Sequence, residues 1–146
     1  MNQFTLRCNN NDFISIELTD VFGFPKETSH WGGYDAKGII QMKAGGYSVK
    51  SDFYLSTGNI YNFFRQFEKA HKQLEGDAVF ETYEKNLTIK MSFSKTGKVE
   101  IDGKFQQYHH LNNKLIFELF TDQSYLAATI SELSKIVNQY GNSNGI

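Results

Sequence analysis

The fold is decided by Ser56-Thr-Gly-Asn-Ile-Tyr-Asn-Phe-Phe-Arg-Gln-Phe-Glu-Lys-Ala-His-Lys-Gln-Leu74. Its apolar residues recur at the spacing of one face of an α-helix, and they are Ile60, Phe63, Phe64, Phe67, His71 and Leu74. The hydroxyls at its start can cap the free amides of the first turn, and Gly76 stands where a helix end favours glycine. Because a face with three phenylalanines has to be buried, we expect this helix to pack on a sheet.

On both sides of this helix, alternating apolar and polar residues predict β-strands. Four such segments precede the helix, beginning with Phe4–Cys8 and ending with Tyr47–Leu55. Four more follow it, beginning with Val79–Tyr83 and ending with Leu115–Leu119. Short polar or glycine-containing turns separate most of them, so the neighbours are expected to pair as antiparallel hairpins.

A second amphipathic helix follows the last strand. Thr121 or Asp122 can cap its start, its apolar face extends from Leu126 to Tyr140, and Gly141 ends it. The element order is therefore ββββα-ββββα. This order predicts an α+β fold in which an antiparallel β-sheet of about eight strands packs against two α-helices.

The composition limits the class of protein. With 146 residues, 40% of them hydrophobic, we expect a single domain over residues 1–146 with a frayed tail at 142–146. Lysine and arginine total 15 against 16 acidic residues, which argues against direct nucleic-acid binding. One cysteine fits a reducing cytoplasm, and neither a signal peptide nor a membrane span is evident. We predict a cytoplasmic protein that binds no membrane, and its oligomeric state stays open.

No motif in the sequence predicts catalysis, a cofactor or a metal site. The four histidines lack the spacing of metal ligands, and Cys8 has no neighbouring base to activate it. Neither a nucleophile elbow nor a phosphate-binding glycine loop occurs. The prediction is a protein that is not an enzyme. The alternative is a small-ligand binding domain or an unrecognised hydrolase, with a pocket lined by Tyr108, His109, His110 and Trp31.

The longest irregular stretch, from Val21 to Lys37, is the candidate binding loop. It holds the only proline, the only tryptophan and a pair of glycines. Trp31, Tyr34 and Asp35 combine large aromatic rings with a carboxylate, which is typical of protein-contact surfaces. The alternative is that both rings fold back to cover an open edge of the core.

A second candidate for partner binding is a local excess of carboxylates. Its predicted contact residues are Glu75, Asp77, Glu81 and Glu84. Glu100, Asp102 and Glu118 on neighbouring strands could extend this negative patch. Such a patch would attract a basic partner, for instance a nuclease, whereas the alternative is an ordinary solvated face.

The chain resembles the WapI-like immunity protein family, the immunity proteins of the wall-associated protein A toxin system of Gram-positive bacteria. The resemblance lies in three stretches: Val21-Phe-Gly-Phe-Pro-Lys-Glu-Thr-Ser-His-Trp-Gly-Gly-Tyr-Asp35, Ser56-Thr-Gly-Asn-Ile-Tyr-Asn-Phe-Phe64, and Phe117 through Thr121-Asp-Gln-Ser-Tyr125 to Ile136-Val137. Together with the matching length, these stretches cover most of the chain.

The resemblance implies a small cytoplasmic protein that binds the C-terminal, RNA-cleaving domain of its own strain's secreted polymorphic toxin and neutralises it. The resemblance implies no catalytic, cofactor-binding or metal-binding residues in this chain. An inhibitor of some other protein, encoded by a phage or another mobile element, would have the same sequence features and remains a further alternative.

Overall fold

The computed structural model describes residues 2–146, in which eight strands form two antiparallel sheets of four. In the first sheet the strands are β1 (Gln3–Arg7), β2 (Phe13–Val21), β3 (Asp35–Ala44) and β4 (Tyr47–Ser56). In the second they are β5 (Gly76–Glu81), β6 (Leu87–Phe93), β7 (Lys98–Gln106) and β8 (Lys114–Asp122). Helix α1 (Thr57–Gln73) follows β4 and helix α2 (Ala127–Tyr140) follows β8. The predicted α+β class and the order ββββα-ββββα are confirmed.

Helix α1 begins with a reciprocal cap. The Asn59 amide donates to Ser56 Oγ at 3.1 Å, and the Ser56 amide donates to Asn59 Oδ1 at 2.9 Å. At the other end, Leu74 adopts the left-handed conformation with φ of 52° and its amide donates to the Ala70 carbonyl. Gly76 instead begins β5, so the glycine expected to end the helix lies beyond the residue that ends it.

The buried face of α1 joins the two sheets into one core. It contains Ile60, Phe63 and Phe67 of the predicted face, and all three are fully buried. The Phe63 ring lies 6.1 Å from that of Phe4 in the first sheet and 5.6 Å from that of Phe80 in the second. The amphipathic pattern therefore predicted the packing face correctly.

Each helix covers an edge strand of the sheet in the other half of the chain. Helix α1 packs on β5, where Gln66 Oε1 accepts from the Val79 amide at 3.0 Å. Helix α2 packs on β1, where Glu132 Oε1 accepts from the Thr5 amide at 3.1 Å. These side chains satisfy backbone groups that an open sheet edge would expose. Strands β4 and β8 form the other two edges.

The start of α2 differs from the prediction. The Asp122 carboxylate accepts from the Ser124 amide at 3.0 Å, but this bond caps a short 3₁₀ turn at Gln123–Tyr125. The same hydrogen bond lowers the pKa of Asp122 from its ordinary value. Helix α2 itself begins at Ala127, and Leu126 at its N-cap makes no side-chain capping bond. The prediction that Thr121 or Asp122 caps the second helix is therefore wrong, because Asp122 caps the 3₁₀ turn that precedes it.

Candidate functional site

The loop between β2 and β3 is fixed to the first turn of α1. The Gly58 amide donates to the Gly32 carbonyl at 3.2 Å, and the Tyr34 amide donates to Thr57 Oγ1 at 2.8 Å. Gly33 has a φ of 66°, and a Cβ atom there would lie 2.6 Å from the Gly58 nitrogen. The glycine pair is therefore required for the loop to reach the helix this closely.

Within this loop, Ser29 holds the candidate contact residues in place. Its hydroxyl donates to Asp35 Oδ1 at 2.7 Å and accepts from the Trp31 amide at 3.0 Å. Its own amide donates to the Gly33 carbonyl at 2.6 Å. The indole and the carboxylate are consequently presented by a hydrogen-bonded loop in a defined geometry.

Trp31 lies against an aromatic residue from the other half of the chain. Its ring stacks on Tyr83 with ring centres 5.1 Å apart and planes 4° from parallel, while the indole remains 53% exposed. The His30 ring meets the indole edge-on at 5.1 Å. Sequence reasoning missed Tyr83, and the available signal was an aromatic residue in a turn between two glutamates, Glu81 and Glu84.

The stack lies in a negative environment. The pKa of Tyr83 is raised above its ordinary value, first by burial and then by the negative charges of Asp35 and Glu84. Both carboxylates are exposed, as is Glu81 at the end of β5. We call Trp31, Tyr83, Asp35, Glu81 and Glu84 the aromatic end. An exposed ring stack with adjacent carboxylates can bind a protein surface that is apolar at its centre and basic around it.

Tyr34 does not belong to this surface. It is only 2% exposed, its hydroxyl donates to the Gly145 carbonyl at 3.1 Å, and Phe24 packs edge-on against its ring at 5.2 Å. The tail 142–146, expected to be frayed, supplies that carbonyl, and Ser143 in the same tail accepts from the Gly33 amide at 2.7 Å. Tyr34 is a core residue, which corrects its assignment as a contact residue, because the tail covers its ring.

The predicted carboxylate flank is divided along β5. Glu75 and Asp77 lie at the start of the strand, within 3.8 Å of Lys95 Nζ and 3.7 Å of Lys90 Nζ respectively. Glu81 lies at the end of the strand, four residues beyond Asp77, which is about 13 Å at the rise of a β-strand. Only the latter half of the flank lies beside the aromatic end.

The histidines contact separate partners. His71 Nε2 lies 3.0 Å from the Gln123 carbonyl, and His109 Nε2 lies 3.3 Å from Asn86 Oδ1. His30 packs on the indole, and the His110 ring lies 5.7 Å from that of Tyr108. Among residues 2–146, no three His, Cys, Asp or Glu side chains form a group that could hold a metal ion. The contacts do not support a histidine-lined pocket.

The comparison with known proteins gives a match over nearly the whole chain. The model of the immunity protein WapI-like family matches residues 5–141. No curated protein matches the chain. Within the described residues, no helix is long and apolar enough to cross a membrane. Membership of an immunity family implies a toxin protein as partner and suggests action by binding without catalysis. By the extent of this match, the chain belongs to the immunity protein WapI-like family.

Proposed function

We propose that this protein binds and neutralises the C-terminal, RNA-cleaving domain of a cognate polymorphic toxin in the cytoplasm of a Gram-positive bacterium. The aromatic end is the contact surface in this proposal. The observation that supports it is the exposed stack of Trp31 on Tyr83, held by a hydrogen-bonded loop beside exposed carboxylates.

A rigid aromatic stack is well suited to anchor such a complex. Tryptophan and tyrosine are enriched among interface residues that dominate the binding energy. Because the Trp31 amide and ring already have fixed partners, little conformational freedom is left to lose on binding.

The carboxylates fit the chemistry of the proposed partner. A domain that cleaves RNA has to bind phosphates, and it does so with lysine and arginine. Asp35, Glu81 and Glu84 would pair with such a basic surface and accelerate encounter. Glu75 and Asp77, which already lie near lysines, would contribute only long-range attraction.

The first experiment is co-expression with the toxin domain encoded immediately upstream. Survival is scored, and the complex is then purified through a tag on the toxin. Rescue together with stoichiometric co-purification is expected. Death of the cells without a recoverable complex would refute the proposal for that toxin.

A matched pair of variants then tests the contact surface. Trp31→Ala is expected to raise the Kd for an inactive toxin domain by about 100-fold, since it removes the central anchor. Ile39→Ala is the control, because Ile39 lies on the outer face of the first sheet, on β3. Similar affinities of the two variants would exclude the aromatic end as the contact surface.

A further inference from the structure

The outer face of the second sheet carries two exposed apolar side chains on β8. Ile116 is 72% exposed and Phe120 is 47% exposed, and both point outward from β8 with Glu118 between them. Strand β8 is an edge strand, paired with β7 in the described part of the chain. Apolar residues on an open sheet edge favour aggregation, so their presence calls for a functional explanation.

The same face places like charges opposite each other. Asp102 on β7 is directly opposite Glu118 on β8, and Glu100 is opposite Phe120. Like charges at such positions lie about 5 Å apart at Cβ and destabilise a sheet. The five ion pairs among residues 2–146 include none of these three carboxylates. Lys90 on β6 is opposite Asp102, and Lys104 is opposite Ile116, so the three carboxylates form a negative cluster bordered by lysines.

Two open depressions flank the apolar side chains. One, of about 600 Å³, is lined by Asp102, Ile116 and Glu118. The other, of about 700 Å³, is lined by Glu100 and Phe120. Each depression can accept a protruding side chain of a partner, and each is also lined by a lysine, Lys104 in the first and Lys98 in the second.

We infer that Glu100, Asp102, Ile116, Glu118 and Phe120, here called the β7–β8 face, form a docking surface for a basic face of the toxin domain. The inference rests on the proposed function. The carboxylates would repel nucleic-acid phosphates and attract lysine and arginine side chains. The apolar side chains would provide the central contacts that exclude water.

One partner can reach this face and the aromatic end together. The registers of the second sheet connect Glu81 to Thr88, Thr88 to Lys104 and Lys104 to Ile116 in a single cross-strand row. Three strand spacings cover about 14 Å. That distance lies well within an interface of standard size, which buries about 800 Å² on each partner.

The charge contribution is tested with the inactive toxin domain as the probe. Asp102→Asn with Glu118→Gln is expected to slow association about 5-fold at low salt, with convergence to wild type at high salt. The thermal midpoint should change little, because the variant removes the like-charge pair and also the attraction of Asp102 to Lys90, opposite it on β6. Glu17→Gln with Asp20→Asn makes the same change in net charge on the first sheet and should leave association near the wild-type rate.

The apolar contribution is tested with single substitutions. Phe120→Ala and Ile116→Ala are each expected to speed dissociation about 10-fold, whereas Ile39→Ala on the outer face of the first sheet should not.

Wild-type binding with no change in any β7–β8 variant would overturn this inference and leave the proposed function standing. Failure of the wild type to bind would overturn both. Self-association that Phe120→Ala abolishes would assign the face to a second copy of the chain and overturn the inference.

Discussion

At the scale of single residues, Trp31 and Tyr34 show how neighbours in one loop acquire opposite roles. Both are large aromatic residues beside the same glycine pair. The indole is half exposed and stacked on Tyr83, whereas the Tyr34 ring is buried beneath the C-terminal tail. Their different surroundings lead to different expectations for substitution.

We predict that Tyr34→Ala lowers the free energy of unfolding by about 3–5 kcal/mol, as removal of a buried aromatic side chain typically does. Trp31→Ala should cost less than about 1 kcal/mol, since half of the indole is already exposed. Urea denaturation followed by circular dichroism measures both values. Equal losses would show that the indole supports the core as much as Tyr34 does.

Cys8 gives a second prediction at this scale. Burial, and then the charge of Asp12, raise the pKa of its thiol to about 12 from an ordinary value of 9.0. Only the thiolate reacts with alkylating reagents, so at pH 8 the folded protein should react with iodoacetamide about 10³-fold more slowly than the urea-unfolded chain. Mass spectrometry of timed samples measures the two rates. Comparable rates would mean that the folded thiol ionises freely.

At the scale of elements, the helices stabilise the sheets by covering edges as well as by apolar packing. Glu132 is the clearest case, because its carboxylate accepts from the Thr5 amide and also pairs with Arg7 at 2.8 Å. The first contact satisfies the backbone of an edge strand, and the second is a partly exposed ion pair. The two contributions can be separated by substitution.

We predict that Glu132→Ala lowers the free energy of unfolding by about 1–3 kcal/mol, because it leaves the Thr5 amide without its acceptor. Arg7→Gln removes the ion pair and the exposed hydrogen bond from Arg7 to the Thr5 carbonyl but keeps the acceptor of the Thr5 amide, and should cost about 0–1 kcal/mol. Chemical denaturation of both variants gives the comparison. If Arg7→Gln were as costly as Glu132→Ala, the ion pair would account for the whole effect of Glu132.

At the scale of the whole molecule, the two sheets share one core. Phe4 of the first sheet, Phe63 of α1 and Phe80 of the second sheet contact one another through their rings. Each helix also packs on the sheet of the opposite half. We therefore propose that residues 1–146 unfold as a single domain although the element order repeats.

The corresponding prediction is a single cooperative transition. Indole fluorescence, which reports the contact between Trp31 and Tyr83, should change at the same urea concentration as far-UV circular dichroism. Phe63→Leu should lower both midpoints together, because this ring touches both sheets. Separate midpoints for the two signals would show that the halves unfold independently.

The sequence alone determined the order of the elements and the face that each one buries. Apolar side chains repeat every two residues on a strand and about every 3.6 residues on a helix. Both periods depend on backbone geometry within one segment, so they can be recognised without knowing any distant contact. The strands, the apolar face of α1 and the Ser56 cap were predictable for this reason. The end of α1 and the start of α2 were harder to predict, because a left-handed residue or a short turn shifts a helix boundary by a few positions.

Only the tertiary structure decided which side chains share a surface. The stack of Trp31 on Tyr83, the burial of Tyr34 by the tail and the opposition of Asp102 to Glu118 depend on packing and strand register. The first two contacts join residues 52 and 111 positions apart, counted from Trp31 to Tyr83 and from Tyr34 to Gly145. No local pattern encodes such contacts, because each depends on how the two sheets and the tail close on one another.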